Sequence, residues 1–247
     1  MSLNLCVDWG NSSVKTALFN DETLVDTQTF SHNEAISSLS FYVDDHKPVK
    51  SILCSVANHP DGLEKMLQSR TSGYVKLDGR TPLPVMNAYL SQESLGPDRI
   101  ALATGAHLLY PNKNNLVISL GSCITYNFIQ KNKTFRGGAI SPGLHMRLRA
   151  MHEFTDKLPE VDVDGELLLL GYDTATCMRS GAVLGMACEI DGIVGEYNEQ
   201  YQDFNAILTG GDAPFFATKL KSKIFADPEL LLKGLNLILK HNVPIPR

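Results

Sequence analysis

The segment of residues 8–15, Asp-Trp-Gly-Asn-Ser-Ser-Val-Lys, has the side chains and the glycine placement that suit a phosphate-binding turn. Glycine lets a backbone approach a phosphate closely, and the hydroxyl and amide side chains add donors. Lys15 can meet negative charge, and Asp8 can hold a hydrated cation. The candidate phosphate contacts are Asp8, Gly10, Asn11, Ser12, Ser13, Val14 and Lys15. A plain β-turn beside a solvated lysine explains the same segment when it is taken alone.

Two common nucleotide-binding loops are excluded. The dipeptide Gly-Lys does not occur, so the chain has no Walker A loop, and no G-x-G-x-x-G follows a strand. If the chain binds ATP, it must bind it through a different sequence motif.

A second candidate lies at residues 96–99, Gly-Pro-Asp-Arg, which open an apolar helix predicted over 100–110. Phosphoryl transfer to an alcohol needs an acceptor for the hydroxyl proton, and the carboxylate of Asp98 is adequate for that role. Arg99 can neutralise developing charge. The alternative is an acid in the first turn of a helix beside a solvated arginine.

Two further glycine-rich turns can receive a nucleotide. Residues 137–143, Gly-Gly-Ala-Ile-Ser-Pro-Gly, predict a helix N-terminus with Pro142 in an early helical position, where phosphate can bind. Residues 209–212, Thr-Gly-Gly-Asp, follow a predicted strand at 206–208. Both segments are also compatible with ordinary turns.

One strand-and-turn pattern occurs twice, at residues 3–11 and 115–122. The matched pairs are Asn4 with Asn115, Leu5 with Leu116, Val7 with Ile118, Gly10 with Gly121 and Asn11 with Ser122. Asp8, however, falls on Ser119. In each copy a short apolar segment is followed by a turn of small residues and then by a second apolar segment. This order is typical of two strands in a hairpin. Chance similarity of two hairpins is the alternative to duplication.

The remaining pattern predicts a mixed α/β fold of two similar lobes, residues 1–114 and 115–247. Strands are predicted over 14–19, 23–30, 49–56, 124–129 and 134–138, and helices over 33–41 and 61–68. A last helix is predicted with Asp227 as its N-cap and Pro228 in its first turn.

The composition of the chain argues against two kinds of partner, nucleic acid and membrane. The 247 residues carry a net charge of -5 with scattered basic residues, and no window approaches the length of an apolar membrane span. We therefore expect neither nucleic acid nor a membrane as a partner. The five cysteines form no C-x-x-C pair, which is typical of reduced intracellular thiols in a protein core.

Taken together, the motifs resemble those of the type III pantothenate kinases. These motifs are an N-terminal D-x-G-N-[ST]-x-x-K, a central G-x-D-R, a G-G-x-I-x-P-G and a late T-G-G-D, in this order along essentially the whole chain. That family belongs to the acetate-kinase, sugar-kinase and actin-like superfamily. The resemblance implies two ribonuclease-H-like lobes with mixed sheets, in a duplicated actin-like ATPase architecture.

The resemblance also implies an activity. It is the phosphorylation of pantothenate to 4'-phosphopantothenate by ATP with Mg2+, the first step towards coenzyme A, in a cytoplasmic homodimer. By the family's pattern Gly96, Pro97, Asp98 and Arg99 bind pantothenate, with Asp98 as proton acceptor. Tyr89 is a further pantothenate contact, Thr174 reaches pantothenate across the dimer interface, and Ser122 offers its hydroxyl to ATP.

Two departures concern the second lobe. Ser119 stands where the family has the aspartate that binds a monovalent cation, and Asn127 stands where an aspartate is common. A neutral serine oxygen should weaken binding of K+ or NH4+. Three hypotheses follow: an active pantothenate kinase, a catalytically weakened paralogue that binds nucleotide or pantothenate as a regulator, and a kinase for another polyol or sugar acid. The intact set of Asp8, Lys15, Asp98 and Arg99 favours the first.

Overall fold

The computed structural model describes residues 2–201 and 203–243. The strands are β1 (Leu3–Trp9), β2 (Val14–Asn20), β3 (Thr23–Phe30), β4 (Lys50–Ser55), β5 (Gly73–Lys76), β6 (Met86–Asn87), β7 (Asn114–Leu120), β8 (Cys123–Ile129), β9 (Thr134–Gly137), β10 (Ile140–Pro142), β11 (Phe204–Thr209) and β12 (Phe225–Ala226). The helices are α1 (His32–His46), α2 (Gly62–Arg70), α3 (Pro97–Leu109), α4 (Leu144–Glu153), α5 (Thr174–Gln200), α6 (Ala213–Ala217) and α7 (Leu230–Asn242), with a 3-10 turn at Gln92–Ser94.

The chain forms two compact units. The first contains the residues up to Pro111, the segment Ile129–Arg136 and the residues from Glu229 onward. The second contains Asn112–Phe128 and Gly137–Pro228. The sequence-based division placed the last helix in the second lobe, whereas α7 packs against β1, β4 and α3 of the first unit.

The first unit is built on a five-stranded sheet in the order β3-β2-β1-β4-β5. β1 pairs antiparallel with β2 and parallel with β4. One core cluster joins Leu5, Val7 and Leu53 of the central strands to Leu39 of α1 and Leu63 of α2. Because α3 and α7 also pack in this unit, the central strands are almost wholly buried.

A close contact between two glycines joins α3 and α7. A Cβ atom on Gly234 would overlap the carbonyl oxygen of Ala101, and one on Gly105 would lie 2.9 Å from the carbonyl oxygen of Leu230. Asn236 of α7 also accepts a hydrogen bond of 2.9 Å from the amide of Asn4. Glycine therefore lets the last helix approach the helix that carries Asp98.

The second unit repeats the strand arrangement. Its sheet contains β12, β11, β7 and β8 in that order, and β7 pairs parallel with β11 as β1 does with β4. Its core joins Ile118 of β7 and Tyr126 of β8 to Val183, Met186 and Ile190 of α5. The orders β12-β11-β7-β8 and β5-β4-β1-β2 match, so the predicted duplication and the mixed α/β class are confirmed.

Two helix starts differ from the prediction. Pro142 ends the short strand β10, and α4 begins at Leu144 with Gly143 as its N-cap. The last helix begins at Leu230 with Glu229 as its N-cap. Asp227 is not the cap, because its N–H donates to the carbonyl oxygen of Leu208 beside β11.

The cysteines are only partly core residues. Cys6 and Cys54 are buried and Cys123 is partly buried, whereas Cys177 and Cys188 are exposed on α5. The expectation of five core thiols was therefore wrong for the two on α5. Within residues 2–201 and 203–243, no helix is long and apolar enough to cross a membrane.

Candidate active site

The first glycine turn joins β1 to β2. The N–H of Gly10 donates to the carbonyl oxygen of Ser13 at 3.1 Å, which closes the turn, and Asn11 and Ser12 are exposed at its tip. Val14 is buried as the first residue of β2, and Lys15 is paired with Asp8 in the strand register. The structure thus places the charged pair at the base of an exposed turn.

Asp8 is buried at the end of β1, with 9% of its surface exposed. Its register neighbours are Lys15 on β2 and Cys54 on β4. Burial, together with the negative charge of Asp98, raises the pKa of Asp8 to about 7, while Lys15 opposes the shift. Asp8 therefore needs a nearby cation to stay ionised at neutral pH.

Asp98 lies in the first turn of α3, where Gly96 is the N-cap and Pro97 the first helical residue. Its side chain folds back over Gly96, because a Cβ atom built there would lie 2.5 Å from Asp98 Oδ1. Burial raises the pKa of Asp98, while the backbone N–H groups of Arg99 and of Asp98 itself and the charge of Arg99 oppose the shift. A side chain at Gly96 would thus displace the Asp98 carboxylate from this position.

The two carboxylates share one environment. Asp98 raises the pKa of Asp8, and both of them contribute to raising the pKa of the buried Cys54 thiol after its desolvation. The structure therefore brings together the N-terminal motif and the central motif, which lie about ninety positions apart in sequence. Cys54 was missed by the sequence reasoning, although the predicted strand over 49–56 contained it.

Arg99 is buried, with 4% of its surface exposed, so the alternative of a solvated arginine is wrong. Its guanidinium carbon lies 5.7 Å from the centre of the Tyr89 ring. Tyr89 stacks in turn on Phe135 at 6.3 Å between ring centres, and its N–H donates to Asn87 Oδ1. Tyr89 and the 96–99 segment thus form one cluster, in which the aromatic face stabilises the cation.

In the second unit, three turns meet at the end of β7. The N–H of Gly143 donates to the carbonyl oxygen of Ser122 at 3.1 Å, and the N–H of Asp212 donates to that of Leu120 at 3.2 Å. Gly210 has a φ of 98°, and a Cβ atom there would overlap the carbonyl oxygen of Leu120. The glycines of all three motifs therefore allow their backbones to touch.

The polar side chains of these turns differ in exposure. Ser122 is exposed, and Ser119 is half-buried opposite Thr209 of β11. Asn127 is fully buried, and its amide donates to Thr125 Oγ1 at 3.0 Å. An uncharged, hydrogen-bonded amide can be buried here at lower cost than an unpaired carboxylate.

Thr174 is the first residue of α5, next to an N-cap built by Asp173. The carboxylate of Asp173 accepts a hydrogen bond of 2.7 Å from the N–H of Thr176, and the side chain of Thr176 accepts one from the N–H of Asp173. This capping box fixes the helix start, and Thr174 is exposed beside it. Thr174 belongs to the second unit, whereas Asp98 belongs to the first.

The donors around Asp8 and Asp98 fit Mg2+. Carboxylate oxygens are its preferred protein ligands, and Mg2+ is usually bound by one or two carboxylates together with substrate phosphates. The described part of the chain contains no group of three or more His, Cys, Asp or Glu side chains that could form a complete metal site. Coordination by the Asp8 carboxylate, completed by the phosphates of a bound nucleotide, agrees with both observations.

Comparison with known proteins identifies the family. The family model of the type III pantothenate kinases matches residues 4–196. A type III pantothenate kinase from Bacteroides fragilis is 41% identical over 240 residues, which cover 97% of this chain and 98% of the relative.

Solved structures show the same fold at lower identity. A conserved Baf family protein from Campylobacter jejuni has a TM-score of 0.63 at 22% identity, over 96% of this chain and 98% of that one. A ROK hexokinase from Thermus thermophilus has a TM-score of 0.53 at 11% identity, over 97% and 98%. These likenesses confirm the mixed α/β fold and nothing finer, because both identities are below 25%. The match to the family model and the identity to the Bacteroides relative go further: the chain belongs to the type III pantothenate kinase family.

Proposed function

We propose that the protein transfers the γ-phosphoryl group of ATP to the hydroxyl of pantothenate, giving 4'-phosphopantothenate and ADP. The observation that carries this proposal is the electrostatic proximity of the buried Asp8 and the partly buried Asp98 in a chain of this family. Arg99 and Lys15 supply positive charge to the same carboxylates. A regulatory paralogue has no evident need of all four groups.

In the proposed reaction, Asp98 accepts the proton of the pantothenate hydroxyl. The hydroxyl oxygen forms a bond to the γ-phosphorus while the bond from that phosphorus to the ADP oxygen breaks. Because the transition state is loose, the proton can leave late, and alignment with charge neutralisation supplies most of the rate enhancement. Arg99 and Lys15 are the cations assigned to that neutralisation.

Mg2+ would be held by Asp8 and the phosphates of ATP, where it neutralises charge on the transferred group. Bound Mg2+ would also favour the ionised form of Asp8. In the second unit, Ser122 and the turns at 137–143 and 209–212 are the proposed nucleotide contacts. Their backbones are packed together at the end of β7, which supports a preformed surface.

The monovalent-cation site is proposed to be weak. Ser119 offers one neutral oxygen where the family uses a carboxylate. We expect Ser119→Asp to strengthen activation by K+. The check is the turnover rate in potassium relative to sodium buffer, and an unchanged ratio would show that the cation site lies elsewhere or is unused.

A second copy of the chain is the proposed partner. The exposed face of α5 is a line of small residues, and a Cβ atom added to Gly181, Gly185, Gly192 or Gly195 would meet no other atom within 4 Å. The segment before α5 exposes Leu169 by 93% and Leu170 by 86%. Small residues allow helices to approach closely and exposed leucines favour burial, which supports a homodimer in which Thr174 reaches the partner's pantothenate. We place the enzyme in the cytoplasm, in agreement with its unpatterned cysteines.

The direct test measures ADP release from Mg-ATP with and without pantothenate, each in sodium and in potassium buffer, with the product identified by mass. Pantothenate-dependent turnover supports the kinase. Equal rates in the two buffers would show that Ser119 removed cation dependence without removing catalysis. No turnover from a folded sample would instead favour the weakened paralogue, and turnover with another polyol alone would favour the third hypothesis.

A further inference from the structure

Three aromatic rings pack together beside the first glycine turn. The ring of Trp9 lies 5.4 Å from that of His32 and 6.1 Å from that of His59, measured between ring centres. Trp9 is buried as the last residue of β1, and His32 is the first residue of α1. The indole N–H of Trp9 has no hydrogen-bond partner among the described residues, so the tryptophan is held by ring packing.

Only one of the two histidines reaches the turn. His32 Nε2 lies 3.0 Å from the carbonyl oxygen of Gly10. A carbonyl oxygen only accepts, so Nε2 must carry the hydrogen. His59 Nε2 lies instead 3.5 Å from the carboxylate of Glu64 on α2. His32 and His59 therefore share a packing partner but differ in their polar contact.

The bond to Gly10 fixes the direction of a neighbouring donor. The peptide between Gly10 and Asn11 is planar, and in a trans peptide the C=O and the N–H point in opposite directions. Holding the Gly10 oxygen towards His32 therefore turns the Asn11 N–H away from His32. If this peptide rotated, it would present an oxygen where the turn now presents a donor, and that oxygen would repel a phosphate.

We propose that His32 is a positioning residue for ATP, which keeps the turn after β1 in its phosphate-accepting orientation through the carbonyl of Gly10. This inference rests on the proposed phosphate-binding role of the turn. The role proposed for His32 is structural support of the turn and not a part in the chemistry. It acts by preventing one peptide from rotating, so its loss should weaken nucleotide binding and leave pantothenate binding unchanged.

Two substitutions separate the hydrogen bond from the ring. His32→Gln keeps an N–H donor at a similar reach and removes the ring, while His32→Phe keeps a ring against Trp9 and removes the donor. His59→Phe is the matched control, because it changes the other ring on Trp9 without a bond to the turn. Trp9 is the one tryptophan of the chain, so its fluorescence reports nucleotide binding directly.

The measurements are the Kd for Mg-ATP from Trp9 fluorescence and calorimetry, and the KM values for Mg-ATP and pantothenate. We expect His32→Phe to raise the Kd and KM for Mg-ATP about two- to tenfold, the loss of one hydrogen bond, with the KM for pantothenate unchanged. His32→Gln and His59→Phe should stay within about twofold of the parent protein.

In the opposite pattern, His32→Gln binds Mg-ATP weakly and His32→Phe binds it normally. That result would show that the ring packing on Trp9, and not the hydrogen bond to Gly10, supports nucleotide binding. Equal weakening in His59→Phe would also overturn the proposal, because the effect would then come from packing on Trp9. The Kd measurements do not depend on turnover. If the parent protein binds Mg-ATP but does not phosphorylate pantothenate, the proposed function fails while the role of His32 is still decided by the three Kd values.

Discussion

At the scale of single residues, the buried Asp8 and the partly buried Asp98 have different surroundings that suit different roles. Asp98 is hydrogen-bonded by backbone N–H groups and lies beside Arg99, both of which favour its ionised form. Asp8 has Lys15 as the cation that opposes its raised pKa. Asp98 is thus better prepared to accept a proton, and Asp8 to bind a cation that arrives with the nucleotide.

Asp98→Asn should abolish most turnover. The amide keeps the size of the side chain but accepts no proton at neutral pH, so kcat should fall by about 100-fold or more. The Kd for Mg-ATP should change by less than about threefold, since Asp98 is not assigned to the nucleotide. Steady-state kinetics and fluorescence titration are the checks. Near-parental turnover in this variant would remove Asp98 as the proton acceptor.

Asp8 should make stability depend on pH. Burial and the charge of Asp98 raise its pKa from 3.8 to about 7. Between these values the folded protein holds a proton that the unfolded chain has released, so the free energy of unfolding falls as the pH rises through this window. The stabilisation is complete below the lower value and lost above the upper one.

The check is urea unfolding at about pH 5 and about pH 8 in buffer without metal or nucleotide. In the parent protein the free energy of unfolding should be lower at the higher pH. In the Asp8→Asn variant this difference between the two pH values should be much smaller. Titrating groups that do not interact with Asp8 are common to both proteins and cancel in the difference, which therefore reports Asp8 together with the coupled Asp98 and Cys54. Parallel pH dependences would contradict the raised pKa of Asp8.

At the scale of elements, local patterns predicted the strands of both hairpins and the helices α1, α2 and α3, but not the long helix α5 or the contacts between elements. The β1 and β2 hairpin was predictable because its apolar runs and glycine turn are local. The start of α7 was not, because Asp227 and Pro228 are typical of a cap and a first turn. The backbone of Asp227 is engaged by Leu208, which only the folded second unit brings near.

The contact between α3 and α7 gives a prediction for Gly234. A Cβ atom there would overlap the carbonyl oxygen of Ala101, and moving the backbone of α3 away from α7 costs free energy. We expect Gly234→Ala to lower the free energy of unfolding by about 1–3 kcal/mol or more, despite the better helix propensity of alanine. Gly62→Ala is the control, since Gly62 is exposed at the start of α2 and a Cβ atom there would meet nothing within 4 Å.

Chemical denaturation of the two variants is the check. The control should be neutral or slightly more stable than the parent protein. If Gly234→Ala is as stable as the control, the two helices are not as closely packed as the structure has them.

At the scale of the whole molecule, the sequence motifs predicted where the charged side chains and the glycine turns of the candidate site lie. They could not predict which groups support them. Cys54 lies against the carboxylates because β4 pairs with β1, and His32 reaches Gly10 because α1 begins beneath the turn. Such contacts depend on strand order and helix position, so one sequence without its fold does not contain them locally.

The last prediction concerns the proposed homodimer. Its interface uses a face of α5 that is exposed in the single chain. Gly185 lies on this face with open space around it, so the folded chain can accept an arginine there. In a closely packed interface the same arginine would clash and bury a charge without a partner. Gly185→Arg should therefore give a species of 27.1 kDa by light scattering, where the parent protein gives twice that mass.

The monomeric variant should also show a raised KM for pantothenate, since Thr174 would no longer reach the partner's site. Gly62→Arg, on the exposed start of α2, is the control that adds the same charge elsewhere and should leave the dimer intact. A dimer that survives Gly185→Arg would place the interface on another surface. A monomeric parent protein with full turnover would instead show that each chain binds pantothenate without Thr174 of a second copy.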